Sequence, residues 1–447
     1  TTEIYTLSLH DALPICAFLA PDVIPEELFL VSSHLLGRHL APFASDFILW
    51  KQVLKQARKS SLISLDSISR TIRIHRLIQV VIRNSVSITE QAEWATTAVH
   101  AVSCMIPENK SENWKMLRLL QPHCEVCLEH IKSLNIQTKE SAKLLHLYGA
   151  FTYSMGMRDK SEQLHMLALE ICAKTVGYES PMMADIQNAL GILARNAGRF
   201  QEADVLIRRA IDIRQKLDPN SLKMTALIDN LGCLRHFQGY YEDAEYLYKQ
   251  SLEMKKANTG NTSRAFAFSL YLLAALYEEQ GKNAKAEAFY IKASNVRDTA
   301  LRNDDPTLLD ITLGLSRMLN AKGEFDQAEL LAKSTLEIRT SELGDENIYT
   351  ASAMMTLGRI YESKALFTEA ERLFLKCLKI RQEILGKEHR LTVESLYRLG
   401  LLYLGMGQVS DANSYLDQAV FISKRKLGLE HPMTIKYYNA WKDLEKS

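Results

Sequence analysis

The sequence predicts an all-α fold, a right-handed superhelix of stacked helix pairs (an α-solenoid), preceded by a small segment containing a short β-hairpin. Three observations predict it. A turn motif recurs at a nearly constant step, small residues recur in phase with it, and large apolar residues fill the intervals at helical spacing.

The turn motif is GMRDKSEQ from Gly156, GRFQEAD from Gly198, GYYEDAE from Gly239, GKNAKAE from Gly281, GEFDQAE from Gly323, ALFTEAE from Ala365 and GQVSDAN from Gly407. From start to start the turns are spaced by 42, 41, 42, 42, 42 and 42. A small residue precedes each turn by seven places: Gly149, Gly191, Gly232, Ala274, Ser316, Gly358 and Gly400. Another follows it by five, from Ser161 and Ala203 to Ala370 and Ala412. Two antiparallel helices joined by a tight turn account for the pattern. The turn glycine adopts a conformation that a Cβ opposes, and helices about 8–10 Å apart need small residues where they cross. A leucine at Ala328 should therefore overpack its crossing by about 1–3 kcal/mol. One such pair cannot bury its own apolar face, so the units stack and each completes its neighbour's core.

These residues resemble the tetratricopeptide repeat family over about Ser141 to the C-terminus. The step of 42, longer than the usual 34, is similar to that of the kinesin light chain class, with loops such as LGDEN (Leu343 to Asn347) and LGLEHP (Leu427 to Pro432) leading into the next unit. Seven units over residues 141–432 are expected, with residues 433–447 as a C-terminal capping helix. That class carries an asparagine-rich first helix. Here only Asn230 sits at the core-asparagine position, which sets this chain apart from its cargo-peptide mode.

The segment before the repeats has a different texture. PEELFLVSSHLL reads as a helix with Pro25 in its first turn, and a second helix covers about Phe47 to Ala57. SLISL and TIRI read as two short strands around a turn at Asp66 to Ser69, followed by a helix from His75 to Asn84. Helices, a hairpin and a further helix describe a winged-helix-like domain over residues 16–88, with residues 89–140 as helical linker. CAFLAPDVIPEEL, IHRLIQVVIR, EWATTAVHAV and NWKMLRLLQPH together resemble the region that joins an NB-ARC nucleotide-binding module to tetratricopeptide repeats in STAND-type proteins. The resemblance implies that His75 contacts the diphosphate of bound ADP. A reading from the residues alone makes His75 a local cap at a strand-to-helix turn. Residues 1–15, TTEIYTLSLHDALPI, read as translated sequencing adapter, so the expectation is a fragment whose upstream part is missing. No G-x-x-x-x-G-K-[ST] occurs in the sequence, and no ATP or ADP cofactor is expected of this fragment without that upstream module.

Composition excludes several classes. Hydrophobic residues make up 47% and charged ones 24%, with a net charge of +1, which gives no bulk electrostatic attraction for nucleic acid. No apolar run is long enough for a membrane span. Seven cysteines at irregular spacings read as reduced thiols, placing the chain in the cytoplasm. His123, Cys124, Cys127 and His130 form an H-C-x-x-C-x-x-H string, but a zinc site takes ligands from separate elements, so these read as core residues and no metal is expected. Neither G-x-S-x-G nor H-E-x-x-H occurs, and no enzyme is expected.

The expected activity is binding, as a protein–protein interaction scaffold. In the tetratricopeptide family the first helices line the concave face, and carrying those positions over gives a groove for a protein or peptide ligand. Its residues are Asn188, Arg195 and Asn196; Asp229, His236 and Phe237; Tyr271 and Glu278; Arg317 and Asn320; Arg359 and Glu362; and Tyr397. The resemblance implies the partner-sensing C-terminal half of a STAND/NB-ARC signalling protein. The alternative is a free-standing kinesin-light-chain-like adaptor, which would place a heptad coiled coil before the repeats.

Overall fold

The computed structural model describes residues 14–33, 45–59, 62–66, 68–109, 113–296 and 305–444. The adapter-like stretch lies outside the described residues except for Pro14 and Ile15. The chain divides into two compact units, residues 1–154 with 159–186, and residues 155–158 with 187–447.

The first unit begins with β1 (Ile24–Pro25), α1 (Glu26–Val31), α2 (Phe47–Lys59), β2 (Ile63–Asp66), β3 (Thr71–Ile74) and α3 (Arg76–Ser85). The expected hairpin is present. Asp66 folds its turn by accepting from the N–H groups of Ile68 at 2.9 Å and Ser69 at 3.2 Å. The sequence reading missed a third strand: β1 pairs antiparallel with β3, giving the order β1-β3-β2. Pro25 caused the omission. It caps α1 at φ −66° and ψ 131° and so belongs to the strand, not to the first helical turn. Its ring angle suits either place, and an edge strand tolerates the missing N–H. Phe29 stacks on Trp50 at 4.7 Å, and buried Gln79 donates to the carbonyls of Cys16 and Leu19, both at 2.9 Å. Helices α4 (Ile88–Met105), α5 (Trp114–Ser133), α6 (Lys139–Ser154) and α7 (Arg158–Thr175) follow. A capping box between Ser87 and Glu90 starts α4.

Helix pairing then becomes regular: α8 (Pro181–Asn196) with α9 (Phe200–Leu217), α10 (Leu222–Phe237) with α11 (Tyr241–Thr259), α12 (Arg264–Glu279) with α13 (Asn283–Ser294), α14 (Pro306–Ala321) with α15 (Phe325–Leu343), α16 (Ile348–Ser363) with α17 (Phe367–Leu385), and α18 (Arg390–Gly405) with α19 (Val409–Leu427). A last helix, α20 (Pro432–Leu444), ends the array, and it starts at Pro432, one position earlier than expected. The one short step, between Gly198 and Gly239, arises within α9, which has 18 residues where α11, α15, α17 and α19 have 19. The turn glycines take the left-handed conformation their sequence position predicts, as at Gly323 (φ 85°). Ala365 does the same work at φ 58° with a Cβ in place.

The small residues fit the crossings. A Cβ on Gly191 would lie 2.7 Å from Ile207, on Gly232 2.7 Å from Tyr248, on Gly358 2.5 Å from Phe374 and on Gly400 2.6 Å from Leu416. Each partner holds the same place in its own second helix, so one crossing geometry recurs from unit to unit. Where the small residue is Ser316, the corresponding partner is only Ala332, and the Ser316 hydroxyl donates to the Ala328 carbonyl at 2.7 Å. Volume is thus balanced across each crossing, which keeps the packing dense.

The second unit also closes on itself. Arg390 at the start of α18 donates to Glu279 at the end of α12, and its guanidinium lies 4.6 Å from the Phe237 ring. The His431 ring contacts the Phe237 carbonyl at 3.1 Å, 194 residues away in sequence.

Candidate partner-binding face

The first helices of successive pairs lie side by side, α10 on α12, α12 on α14, α14 on α16, and α18 on α20. The bonds that cross between distant pairs run from these helices and their caps, so they form the inner layer of the second unit. The small residues make this possible by letting the second helices sit close behind.

The residues expected to form the groove divide into two sets. Most are occupied by internal contacts. Asn188 accepts from the Asn230 amide at 3.0 Å, so the lone asparagine at the core position holds its neighbour in place. Asp229 is only 3% exposed and pairs with buried Lys255, with Ser269 donating to it at 3.4 Å. It is an internal ion pair, which corrects its expected place as a surface carboxylate: Lys255 reaches it from α11. His236 contacts Glu279 at 3.1 Å, and Phe237 lies between Arg390 and Arg195, 5.0 Å from the latter. Glu278 receives Arg317 through two bonds of 2.6 and 2.8 Å and the Tyr290 hydroxyl at 2.7 Å. Burial alone would raise Glu278, but Arg317 and Tyr290 outweigh it and hold the carboxyl below its ordinary range. Tyr271 packs on Phe268 and Tyr290, and Asn320 donates to Ser363 at 3.0 Å.

The second set is less engaged. Arg359 has no side-chain hydrogen bond or ion pair among the described residues, and burial with Arg398 and Arg317 nearby pushes its guanidinium down to about 10. Arg398 leaves its buried Nε without a hydrogen-bond partner and lies 5.8 Å from the Tyr397 ring. Lys436 approaches the same ring at 5.5 Å, and Tyr437 packs on it at 4.5 Å. Glu362 is raised by burial despite those arginines. Arg359, Arg398 and Lys436 thus outnumber Glu362 and Glu394, the latter already bound by Arg381, around one aromatic platform, and the excess of positive charge attracts carboxylate or phosphate groups. Sequence reasoning found Arg359, Glu362 and Tyr397 but missed Arg398, Lys436 and Tyr437. It also missed a periodic signal: a basic residue 16 places after the turn, Arg214, Lys255, Arg297, Arg339 and Arg381. Lys255, Arg339 and Arg381 bind Asp229, Asp310 and Glu394 of first helices.

His75 in the first unit caps α3, its Nδ1 accepting from the Leu77 N–H at 3.2 Å, with the ring exposed. His123 and His130 contact the carbonyls of Val23 and Phe18, and Cys124 and Cys127 are buried. The two histidines are thus spent on backbone, and burial pushes both down.

The tetratricopeptide repeat family profile matches residues 140–216, 183–257, 266–341 and 349–425, more than half of the chain. The chain belongs to the tetratricopeptide repeat family. A domain of unknown function (DUF7779) matches residues 7–91. A TPR repeat-containing protein of Dictyostelium discoideum is 33% identical over 155 residues, 34% of this chain. The chain spans only 9% of that relative's length. Among solved structures, BtubC (BKLC) from P. vanneervenii is 18% identical, with 53% of this chain and 93% of that one covered and a TM-score of 0.39. A Signal Transduction ATPase with Numerous Domains (STAND) protein with a tetratricopeptide repeat sensor, from Pyrococcus horikoshii, is 12% identical, with 94% of this chain and 59% of that one covered and a TM-score of 0.48. As a tetratricopeptide array, the chain is a protein–protein interaction scaffold. Among the described residues, no helix is long and apolar enough to cross a membrane.

Proposed function

We propose that the array receives an acidic polypeptide segment along its inner layer, anchored at Arg359, Arg398 and Lys436. The observation that carries this reading is that Arg359 and Arg398, beside Tyr397, make no side-chain hydrogen bond or ion pair among the described residues, whereas Arg317, Arg339, Arg381 and Arg390 are paired. A half-buried guanidinium without a hydrogen-bonded anion gives up solvation without return, and a carboxylate from a partner would complete it. Peptides selected from a random display library on the whole chain supply the probe. The selected sequences should be acidic, and fluorescence anisotropy should show binding at least tenfold weaker for Arg359→Glu and Arg398→Glu. Arg372→Glu, on the exposed side of α17, should bind like the parent. Equal weakening by all three, or selection of neutral peptides, contradicts the reading.

In a cytoplasmic STAND-type protein this array would be the sensor, with the first unit relaying occupancy to a nucleotide module. The three-stranded sheet and its flanking helices are consistent in size and order with the winged-helix-like element that the resemblance implies, and so support the relay role. His75 offers one exposed imidazole edge for a diphosphate, and the described residues supply no phosphate cradle around it, so no nucleotide step is assigned to this chain. Sequencing the locus upstream of the Cys16 codon tests the assignment. A Walker A motif in frame agrees with it, and a heptad coiled coil there favours the adaptor.

A further inference from the structure

The closure of the second unit forms a half-open cavity of about 370 Å³ that Arg359, Arg398 and Lys436 do not line. One wall comes from the end of α8, the start of α9 and the end of α10, with Arg195, Phe200 and Phe237. The opposite wall comes from the loop before α18, the start of α18, α19 and α20, with Val393, Met433 and Tyr437. The volume falls in the range of small-molecule sites.

Its polar groups are unevenly arranged. Arg195, Lys387, Arg390 and Lys426 line it against one carboxylate, Glu388, which is already engaged by Lys426 at 2.8 Å and by Arg425. Arg390 is held from outside the cavity by Glu279. His389 on the wall stays neutral far below its ordinary range, pushed down to about 3 by burial and by Arg158, Arg381 and Arg390. Two donors on its lining residues have no partners. Tyr437 is 1% exposed and its hydroxyl has no hydrogen-bond partner among the described residues. The Arg195 Nη1 is sealed from solvent in the same condition, although the rest of the guanidinium bonds Asn196 and covers Phe237. Apolar walls, an excess of positive charge and two unsatisfied donors specify an apolar body carrying one acceptor-rich anionic group.

We infer that this cavity is a binding site for a small amphipathic carboxylate, whose chain lies between Phe237, Val393 and Met433 and whose carboxylate accepts from Arg195 and Tyr437. The inference is separable from the peptide-binding reading: Arg359, Arg398 and Lys436 do not line the cavity, and only Tyr437 borders both places. Since the walls come from both ends of the second unit, the ligand bridges them and stabilises the closed form.

Decanoate is the probe, titrated calorimetrically into the whole chain, with decylamine and decanol as controls. Saturable binding of decanoate, at least tenfold tighter than either control and accompanied by a raised unfolding temperature, is expected. Arg195→Gln should weaken it at least tenfold and Tyr437→Phe about threefold, while Arg372→Glu, on the exposed side of α17, leaves it unchanged. Val393→Trp fills the cavity and should abolish binding; Tyr437→Phe, which keeps the ring packing, serves as the test if Val393→Trp does not fold. Absence of saturable binding overturns the site, as does equal binding of the amine or the alcohol. Full decanoate affinity in both Arg195→Gln and Tyr437→Phe would also overturn it.

Discussion

At Ala365 the repeat departs from its own rule, and the structure shows the consequence. The backbone holds φ 58° there, as it holds 85° at Gly323 one unit earlier. A left-handed conformation costs an L-residue about 1–2 kcal/mol. Ala365→Gly should therefore stabilise the chain by about 1 kcal/mol, and Gly323→Ala should destabilise it by about the same, because a Cβ on Gly323 meets nothing within 4 Å. Urea denaturation of both variants checks the pair; a destabilised Ala365→Gly would mean that the Cβ makes a contact worth more than the strain. His389 gives a second residue-scale test. It caps α18 by accepting from the Leu391 N–H at 3.2 Å, and burial holds it neutral down to about 3. A histidine with a folded pKa below its unfolded value of about 6.5 binds fewer protons when folded, so its contribution is intact above pH 6.5 and is lost as pH falls toward 3. His431, lowered by burial, acts in the same direction. Asn347 fills the equivalent place and caps α16 through the Tyr349 N–H at 2.8 Å. His389→Asn should keep the cap and lose the titration, so its urea midpoint should fall less than the parent's between pH 6.5 and 5. Parallel curves would assign the acid sensitivity elsewhere.

At the scale of the element, the glycine crossings each set a bare Cα against a large side chain of the second helix. Gly358→Ala puts a Cβ within 2.5 Å of the Phe374 ring, which is fully buried and cannot withdraw. A loss of about 1–3 kcal/mol is expected by chemical denaturation, and an unchanged midpoint would show that the helices separate freely. These crossings were legible in the sequence because one position bears the whole requirement and returns in step with the turn. The strand β1 was not, since so short a strand carries no period and Pro25 suits a helix start equally well. The inner-layer residues were legible as positions but not as partners. Asp229 reads as a free carboxylate until Lys255, 26 residues away, is seen to reach it. The cavity lay further out of reach: Arg195 and Tyr437 line one space only because the second unit closes, and no local pattern records that closure.

Across the second unit, curvature brings Glu279 to Arg390, 111 residues apart, and gathers first-helix side chains that adjacent units alone would leave dispersed. On the proposed reading, recognition would be a property of the array, with the repeats supplying its surface and no one of them constituting the site. A polypeptide partner lying along this inner layer is open to direct test by photo-crosslinking. A photoreactive residue replaces Glu362 on α16 in one variant and Tyr246, 69% exposed on α11, in another. A display-selected acidic peptide should crosslink at position 362 and not at 246. Crosslinking at 246 with none at 362 would put the partner on the outer helices and rule out the inner layer as its seat.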